Sequence, residues 1–258
     1  MAGLLLAACQ TATAPVISPS LVSIDGIDRR GPAPLDGIEA DELDDFRRFY
    51  VATTLRSEDQ HKGNIVTRLY GLNKWAWGGV TYGVDEDFSD QQKKDIDAVF
   101  ALIGDITGVK LVRGATMRNV RAGEIMVHAL TERAVKTRTA RGGSFVICTG
   151  QMHWPNSASR AIIAAELYLP ARDGIDWDDC VYEELGHAFA FGRDTSDFPH
   201  RTIFTNDRSH RPVGFTPFDK LNLWVTYDPR LKPGMTYAEA EPIVRTIVNE
   251  LREKMAAG

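Results

Sequence analysis

The apolar positions of the chain follow a helical period in some segments and a strand-like pattern in others. Apolar side chains recur at every third or fourth position over residues 41–55 and again after Ser89, which predicts two amphipathic helices. Ser89 is a suitable N-cap for the second helix, and Gly108 is a suitable end for it. Strands are predicted for five short apolar segments, which are residues 80–84, 110–113, 124–130, 144–148 and 161–169.

After these strands the pattern becomes helical again. Three helices are expected: one from Asp176 or Asp178 to Gly192, one from Thr216, and one from about Tyr237 to Lys254. The strand at 161–169 alternates less than the others and is rich in Ala and Ile, so it is either buried or an edge strand over a cleft. A β-α-β-β-β-β order followed by helices predicts an α/β (α+β) fold with a mixed sheet, a long packing helix and a helical C-terminal part.

Composition restricts the class of protein further. A chain of 258 residues with 43% hydrophobic and 25% charged residues fits one globular domain. We place this domain at residues 38–258, with its core at about 70–230 and a C-terminal helix at 236–257. The formal net charge of −5 argues against a nucleic-acid partner, because phosphate binding needs clustered Lys and Arg. The basic residues between 118 and 141 are explained more simply as a solvated loop or edge strand.

The first residues of the chain suggest export. A Leu-Ala-Ala-Cys run that ends at Cys9 follows an apolar start, and residues 1–9 resemble a bacterial lipoprotein signal with a lipid on Cys9. This segment is too short to span a bilayer, which takes about 20 apolar residues. The alternative is a chance apolar N-terminus. Residues 10–37 are rich in Pro, Ser, Thr, Ala and Gly and predict a flexible tether. The expected location is therefore the periplasm or the outer membrane, with membrane contact through the lipid.

Export would also decide whether the cysteines are reduced or form a disulfide. The chain has three of them, Cys9, Cys148 and Cys180. In an oxidising compartment a Cys148–Cys180 disulfide is the natural pairing once Cys9 carries a lipid. Such a bridge would tie the segment that ends at Cys148 to the start of the helix that carries the candidate chemistry.

That chemistry is carried by residues 183–187, which read Glu-Glu-Leu-Gly-His. They differ by one residue from His-Glu-x-x-His, the helical zinc-protease motif. At about 100° per residue, Glu183 and His187 lie on one helix face with Glu184 beside them, as two ligands and a general base would. A Glu-Glu pair shortly before a His is also common on solvated helix faces, so the pentapeptide alone does not decide its role.

The surrounding residues resemble the matrixin branch of the metzincin metalloproteases. Residues 183–194 read EELGHAFAFGRD, beside the HELGHALGLGHS pattern of that family. Residues 201–204 occupy the place of the family's Met-turn, and residues 215–219 look like the start of its closing helix. The resemblance covers about residues 70–230. It implies a zincin-like fold with a twisted mixed sheet, an active-site helix, a zinc cofactor and peptide hydrolysis.

Several positions depart from the matrixin pattern. Glu183 stands where the family has its first zinc His, and Arg193 stands where it has the third. Glu184 keeps the general-base position and His187 keeps the second ligand, whereas Phe204 replaces the Met of the turn. A carboxylate ligand is compatible with catalytic zinc, since His₂Glu sites exist. The guanidinium of Arg193 cannot bind a metal, because it stays protonated.

The third ligand must then come from the loop after Gly192. Four side chains there are candidates: Asp194, Asp197, His200 and His210. His200 is the best neutral candidate, so the predicted metal site consists of Glu183, His187 and His200, with Glu184 as the catalytic base. A site made mostly of carboxylates would favour Ca²⁺ or Mn²⁺ over Zn²⁺.

Two hypotheses remain, one for an enzyme and one for a binding module. The first is an exported, metal-dependent peptidase with a degenerate site. The resemblance implies that the strand at 161–169 lines its cleft through Ala165 and Leu167 and pairs with an extended substrate. In such an enzyme Glu184 would take the proton from the attacking water.

The second hypothesis is a non-catalytic module of the cell envelope that binds a peptide or a protein without metal. In it Arg193 neutralises Glu183 and Glu184, and the former active-site cleft serves only for binding. Residues 180–184 and 227–235 are also similar to motifs of a family of uncharacterised proteobacterial lipoproteins. That likeness agrees with an envelope location and with either hypothesis.

Overall fold

The computed structural model describes residues 30–55, 72–75, 78–117, 119–130, 148–155, 161–171, 177–207, 209 and 211–257. The helices within these ranges are α1 (Leu43–Thr53), α2 (Asp90–Thr107), α3 (Trp177–Phe189), α4 (Pro217–Thr226) and α5 (Tyr237–Ala257). The strands are β1 (Lys74–Trp75), β2 (Gly79–Val84), β3 (Lys110–Arg113), β4 (Glu124–Leu130), β5 (Thr149–His153), β6 (Ala161–Ile162) and β7 (Ala164–Pro170). Predictions that fall outside the described residues concern Cys9, the tether up to residue 29, residues 144–147, Asp176 and His210.

Five strands form one mixed sheet in the order β3-β2-β4-β7-β5. Strands β3, β2, β4 and β7 run parallel, and β5 runs antiparallel to β7. A separate parallel pair is formed by β1 and β6. The predicted α/β class with a mixed sheet is confirmed. No helix within the described ranges combines the length and the apolar composition that a membrane crossing requires.

The long helix α2 forms where its sequence predicts it. The hydroxyl of Ser89 accepts a hydrogen bond from the backbone N–H of Gln92 at 3.2 Å, and the Gln92 side chain accepts one from Ser89 N–H at 3.0 Å. This capping box satisfies two donors at the helix start. Gly108 ends the helix in the left-handed conformation, with φ 71°. The buried stripe of α2 contains Ile96, Val99, Phe100, Ile103 and Ile106.

Helix α3 packs on the sheet against β7 and β5. The sheet face that it covers is apolar, since Ile125 and Val127 of β4 and Ala165 and Leu167 of β7 are all 0% exposed. Gly150 of β5 lies on the same face, next to the side chain of Leu167. Helix α2 packs against α3 and also on the sheet, where Phe100 stacks on Tyr82 of β2, so the two helices lie side by side on the same sheet face.

The prediction that the strand at 161–169 pairs with a substrate is wrong. Its main part, β7, is an internal strand, paired with β4 along Ala164–Pro170 and with β5 along Ala164–Tyr168. Its backbone hydrogen bonds are therefore used within the sheet, and its apolar side chains Ala165 and Leu167 pack in the core instead of lining a cleft. Among the described strands, β5 is the one at the edge beside α3.

The folded domain begins earlier than predicted, because residues 30–37 are not a tether. The Arg30 guanidinium lies 3.6 Å from the ring centroid of Trp224 and pairs with Asp228 at 3.0 Å. The indole N–H of Trp224 in turn donates to the carbonyl of Gly31 at 2.9 Å. The cation–π contact with Trp224 and the buried ion pair with Asp228 hold this segment on α4. The composition of residues 30–37 does not reveal these contacts.

Candidate functional site

The candidate site is built on α3, whose C-terminal end is tied down by two other segments. The indole N–H of Trp75 donates to the carbonyl of Ala188 at 2.9 Å, and the hydroxyl of Tyr227 donates to that of Phe189 at 3.1 Å. These bonds satisfy two of the carbonyls that a helix end leaves open. At the other end α3 begins at Trp177, so Asp178 lies in its first turn and is not the predicted N-cap.

Gly186 lets a second segment approach the helix directly below the site. A Cβ atom at this position would lie 2.3 Å from the ring of Phe204. That ring stacks on Phe191 with centroids 3.6 Å apart and meets the His187 ring edge-on at 5.0 Å. The glycine of the pentapeptide is therefore required by close packing, and the turn that carries Phe204 lies beneath His187.

The predicted disulfide is present and borders the site. Cys148 and Cys180 are bonded, which joins the start of β5 to the first half of α3. The Sγ atom of Cys148 and carboxylate oxygens of Glu183 and Glu184 all lie within 4.8 Å of one another. The two glutamates thus face the bridge and the edge strand.

Glu183 forms a two-point ion pair with an arginine that the sequence did not indicate. The guanidinium of Arg211 donates to one Glu183 carboxylate oxygen at 2.9 Å and to the other at 2.6 Å. Both side chains are largely buried, with 7% and 12% exposed for Arg211 and Glu183. The expected partner, Arg193, instead donates its Nε–H to the carbonyl of Ala52 at 2.5 Å. No local pattern marks Arg211, because a long loop separates it from α3.

His187 is held through both ring nitrogens. Its Nδ1–H donates to the carbonyl of Phe191 at 2.9 Å, and its Nε2 lies 3.3 Å from a carboxylate oxygen of Asp194. Burial would lower the pKa of His187, but the hydrogen bond to Asp194 and the nearby Glu184 carboxylate outweigh it and raise that pKa to about 9. At neutral pH the imidazole is therefore protonated and paired with Asp194.

Glu184 differs from Glu183 and His187 because no hydrogen bond joins its carboxyl group to any described residue. Its side chain is buried, with 7% of the residue exposed. Within the described part of the chain its carboxyl group makes no hydrogen bond and no ion pair, although one oxygen lies 3.0 Å from where a Cβ on Gly150 would be. Burial raises the pKa of Glu184 to about 7, more than the charge of His187 lowers it. The Glu184 oxygens are not among the fully enclosed side-chain atoms that lack a hydrogen-bond partner, so the carboxyl group keeps a small contact with solvent.

His200 does not belong to this site, which corrects the predicted ligand set. It lies in an exposed turn and lines a separate cavity of about 740 Å³ between α1 and the loop that follows α3. None of the residues that line this cavity is part of the Glu183 cluster. The loop residue that approaches Glu183 and His187 is Asp194, whose position only the folded loop defines.

The resulting donor set does not fit a catalytic zinc ion. Oxygen or nitrogen atoms of Glu183, His187 and Asp194 do come within 4.8 Å of one another. However, both oxygens of Glu183 accept from Arg211, so a cation already occupies that side of the site. The Nε2 atom of His187 lies 3.3 Å from the Asp194 carboxylate, and the raised pKa of His187 favours the protonated ring, which cannot bind a metal through Nε2. The sulfur of Cys148 is not available either, because a thiolate, not a disulfide, binds metals.

These features define a mixed α/β protein with a charged, largely buried cluster on one helix beside an edge strand. Residues 44–246 match the family described as "Protein of unknown function (DUF2927)", and the chain belongs to that family. No curated protein is significantly similar to the chain.

Proposed function

We propose that this protein is a zincin-like module of the cell envelope that binds an extended polypeptide without using a catalytic metal. The observation that carries the proposal is the two-point Arg211–Glu183 ion pair at the position of the first zinc ligand. The proposal retains the framework that the matrixin resemblance implies and gives it a binding role.

The charges of the cluster support this role. Arg211 balances Glu183, and protonated His187 balances Asp194, so the four groups carry no net charge. A metal at this position would have to displace the guanidinium and the His187 proton. Breaking a buried ion pair of this kind costs about 3–5 kcal/mol, which disfavours metal binding in the oxidised protein.

The edge strand β5 supports a polypeptide ligand. An extended chain binds to an exposed sheet edge through backbone hydrogen bonds, whatever its sequence. In the described part of the chain, β5 is paired only on its β7 side, and its Gly150 borders Glu184. A polypeptide added to β5 would therefore pass the unbonded carboxyl group.

Two further observations agree with the zincin-like framework and with export. The order of α2, the sheet, α3 and α4 follows the matrixin order, and Phe204 lies beneath His187 where that family has its Met. The Cys148–Cys180 disulfide is typical of proteins in an oxidising compartment. Lipid attachment at Cys9 and an outer-membrane or periplasmic location remain part of the proposal.

Metal content is the first test. The full chain is purified without reductant, and bound metals are measured by elemental analysis in the wild type and in His187→Ala. We expect no stoichiometric zinc, manganese or calcium in either protein. One equivalent of metal in the wild type that is lost in His187→Ala would overturn the proposal and favour the hydrolase.

Hydrogen exchange tests the binding role. The probe is a permanently unfolded polypeptide, reduced and carboxymethylated lactalbumin, at saturating concentration. We expect slower amide exchange in β5 and unchanged exchange in β3, which is the other edge strand of the described sheet and serves as an internal control. Equal protection of both edges, or of neither, would contradict binding at β5.

A further inference from the structure

The cavity between α1 and the loop that follows α3 takes no part in the function proposed above. Its volume is about 740 Å³, which lies within the range of small-molecule sites, about 300–1,000 Å³. Three segments of the chain line it: α1, residues 197–201 and Tyr237 at the start of α5. The cavity is therefore a candidate ligand site that is separate from the cluster on α3.

Charged side chains of both signs line this cavity: Arg47, Arg48, Arg201, Asp45 and Asp197. Arg48 is paired inside the lining with Asp45, one helical turn away on α1. Asp197 is exposed and balances one of the two other arginines. With His200 neutral, the lining keeps one positive charge in excess, which favours an anionic ligand.

Two of the arginines are held by carboxylates that do not line the cavity. Nη1 of Arg47 donates to Glu241 at 2.6 Å, and Nη1 of Arg201 donates to Glu42 at 2.5 Å. Glu241 also accepts from Arg245 at 2.7 Å, so two guanidinium groups share its single charge. These contacts hold the two guanidinium groups at the wall and leave the cavity itself open.

Each of these two guanidinium groups uses only one nitrogen atom in its ion pair. Within the described ranges, neither Nε nor Nη2 of Arg47 or Arg201 donates a hydrogen bond. Arg230, in contrast, uses all three nitrogen atoms with Asp228 and Glu250. The planar fork of an arginine matches the oxygens of phosphates and carboxylates, so the unused N–H groups are suited to such a ligand.

The aromatic part of the lining favours a ligand that also carries a ring. Phe198 is half-buried, and Tyr237 is one of three large apolar side chains that the described residues expose, with 37% of it accessible. Aromatic side chains bind other rings by stacking or edge-to-face contact. A phosphate ester carries a charge of about −1.5 to −2 and three acceptor oxygens, so it can accept from two arginines at once.

We propose that this cavity binds a small phosphate monoester that carries a ring. The phosphate group accepts from Arg47 and Arg201, through N–H groups that the fold leaves unused, and the ring lies against Phe198 and Tyr237. This site is independent of the Glu183 cluster and of the edge strand β5.

Calorimetric titration of the full chain tests the proposal, with phenyl phosphate as the probe at about 0.15 M salt. We expect one saturable site with a dissociation constant of about 1 mM or lower. Inorganic phosphate lacks the ring and benzoate lacks the second charge, so both should bind more weakly. Benzoate that binds as tightly as phenyl phosphate would contradict the choice of a phosphate ester.

Arg47→Gln and Arg245→Gln form a matched pair. Both variants lose one positive charge and one partner of Glu241, but only Arg47 lines the cavity. Arg47→Gln should weaken the binding of phenyl phosphate about tenfold, as expected for a lost charge-assisted hydrogen bond. Arg245→Gln should bind as the wild type does. Equal weakening in the two variants would show that the probe responds to net charge and not to the cavity, and would overturn the proposal.

Tyr237→Ala tests the ring contact at a position where the fold is not at risk, because the side chain lies at the surface. It should weaken the binding of phenyl phosphate and leave that of inorganic phosphate unchanged. No loss with either ligand, or the same loss with both, would overturn the proposal even if Arg47→Gln fails to fold. The absence of saturable binding in the wild type would do the same. None of these results depends on the polypeptide binding at β5.

Discussion

Two buried carboxyl groups of this protein have opposite surroundings. Asp219 at the start of α4 is 0% exposed and accepts hydrogen bonds from the Thr202 hydroxyl at 2.5 Å and the Ile203 N–H at 3.2 Å. It also accepts from the backbone N–H of Thr216 at 3.0 Å and from its hydroxyl at 2.9 Å. Glu184 on α3 is almost as buried and, among the described residues, accepts none.

Burial raises the pKa of both carboxyl groups, to about 6 for Asp219 and to about 7 for Glu184. The hydrogen bonds from Thr202, Ile203 and Thr216 lower the pKa of Asp219 against the effect of burial, whereas no hydrogen bond opposes burial at Glu184. Asp219 holds the turn that carries Phe204 against α4, which is a structural role. Among the described residues the Glu184 carboxyl group makes no hydrogen bond, and a buried group with a raised pKa in such a position is a candidate for a functional site.

The largest expected effect is that of Asp219→Ala. Its removal leaves the buried donors of Thr202 and Ile203 and the half-buried N–H of Thr216 without an acceptor, so we expect the free energy of unfolding to fall by about 4 kcal/mol. Urea denaturation measures this change. Glu239→Ala is the matched control, because Glu239 accepts from Thr236 in the same way at an exposed helix start and should cost about 1 kcal/mol. Equal losses in the two variants would contradict the structural role of Asp219.

Arg211→Gln should have the next largest effect. It leaves the Glu183 carboxylate buried without its cation and should lower the free energy of unfolding by about 3 kcal/mol. The double variant Arg211→Gln/Glu183→Gln should recover most of that loss in urea denaturation. If the double variant is no more stable than the single one, Glu183 and Arg211 do not depend on each other.

Gly186→Ala tests how firmly the turn held by Asp219 is placed. The new Cβ would meet the Phe204 ring at 2.3 Å, so we expect a loss of about 2 kcal/mol from overpacking. Phe204→Leu removes the ring, and the double variant should therefore be less destabilised than the sum of the single changes. If the losses of the two single variants add up in the double variant, in thermal or urea denaturation, the turn that carries Phe204 moves away from the new Cβ atom.

Glu184→Gln should have the smallest effect, and one of opposite sign. The neutral amide avoids the cost of burying a charge but still places a polar group in the same site, so at pH 8 we expect a net gain on the order of 1 kcal/mol. Glu184→Asp, which keeps the charge, is the control and should give no such gain. A clear loss of stability in Glu184→Gln would mean that the carboxylate has a structural partner.

The pH dependence of stability separates the same two groups. A carboxyl group whose pKa is higher in the folded protein binds more protons there, so stability falls as the pH rises from its unfolded pKa through its folded one. For Asp219 this interval runs from 3.8 to about 6, and for Glu184 from 4.5 to about 7. Glu184→Gln should therefore flatten the fall in urea midpoint between pH 6 and 7. A wild-type midpoint that rises over this range would contradict the sign.

Local patterns predicted much of the fold. The helix starts predicted at Ser89 and Thr216 are both present, and in each the structure shows a capping box between residues three apart. The strands at 80–84, 110–113 and 124–130 follow from apolar runs and are present. The disulfide was predicted from the number of cysteines and the expected compartment. The helix starts and strands depend only on residues that are neighbours in the chain, and the disulfide depends only on the few possible pairs among three cysteines.

Predictions that depended on long-range placement were less successful. Arg211 and Asp194 lie in loops whose course is defined by packing, so their approach to Glu183 and His187 left no mark in the sequence. The choice of His200 rested on ligand chemistry alone and was wrong for the same reason. The apolar run at 161–169 is compatible with an edge or an internal strand, and only pairing with β4 and β5 decides between them.

By itself, the sequence determined which side chains α3 presents on one face: Glu183, Glu184 and His187, with a glycine that permits close packing. Helical periodicity suffices for that. The tertiary structure alone decided what these side chains meet: Arg211 at Glu183, Asp194 at His187 and, within the described ranges, no hydrogen-bond partner at Glu184. The reason is physical, since charge balance and the pairing of buried groups depend on segments that are distant in the chain and meet only in the folded protein.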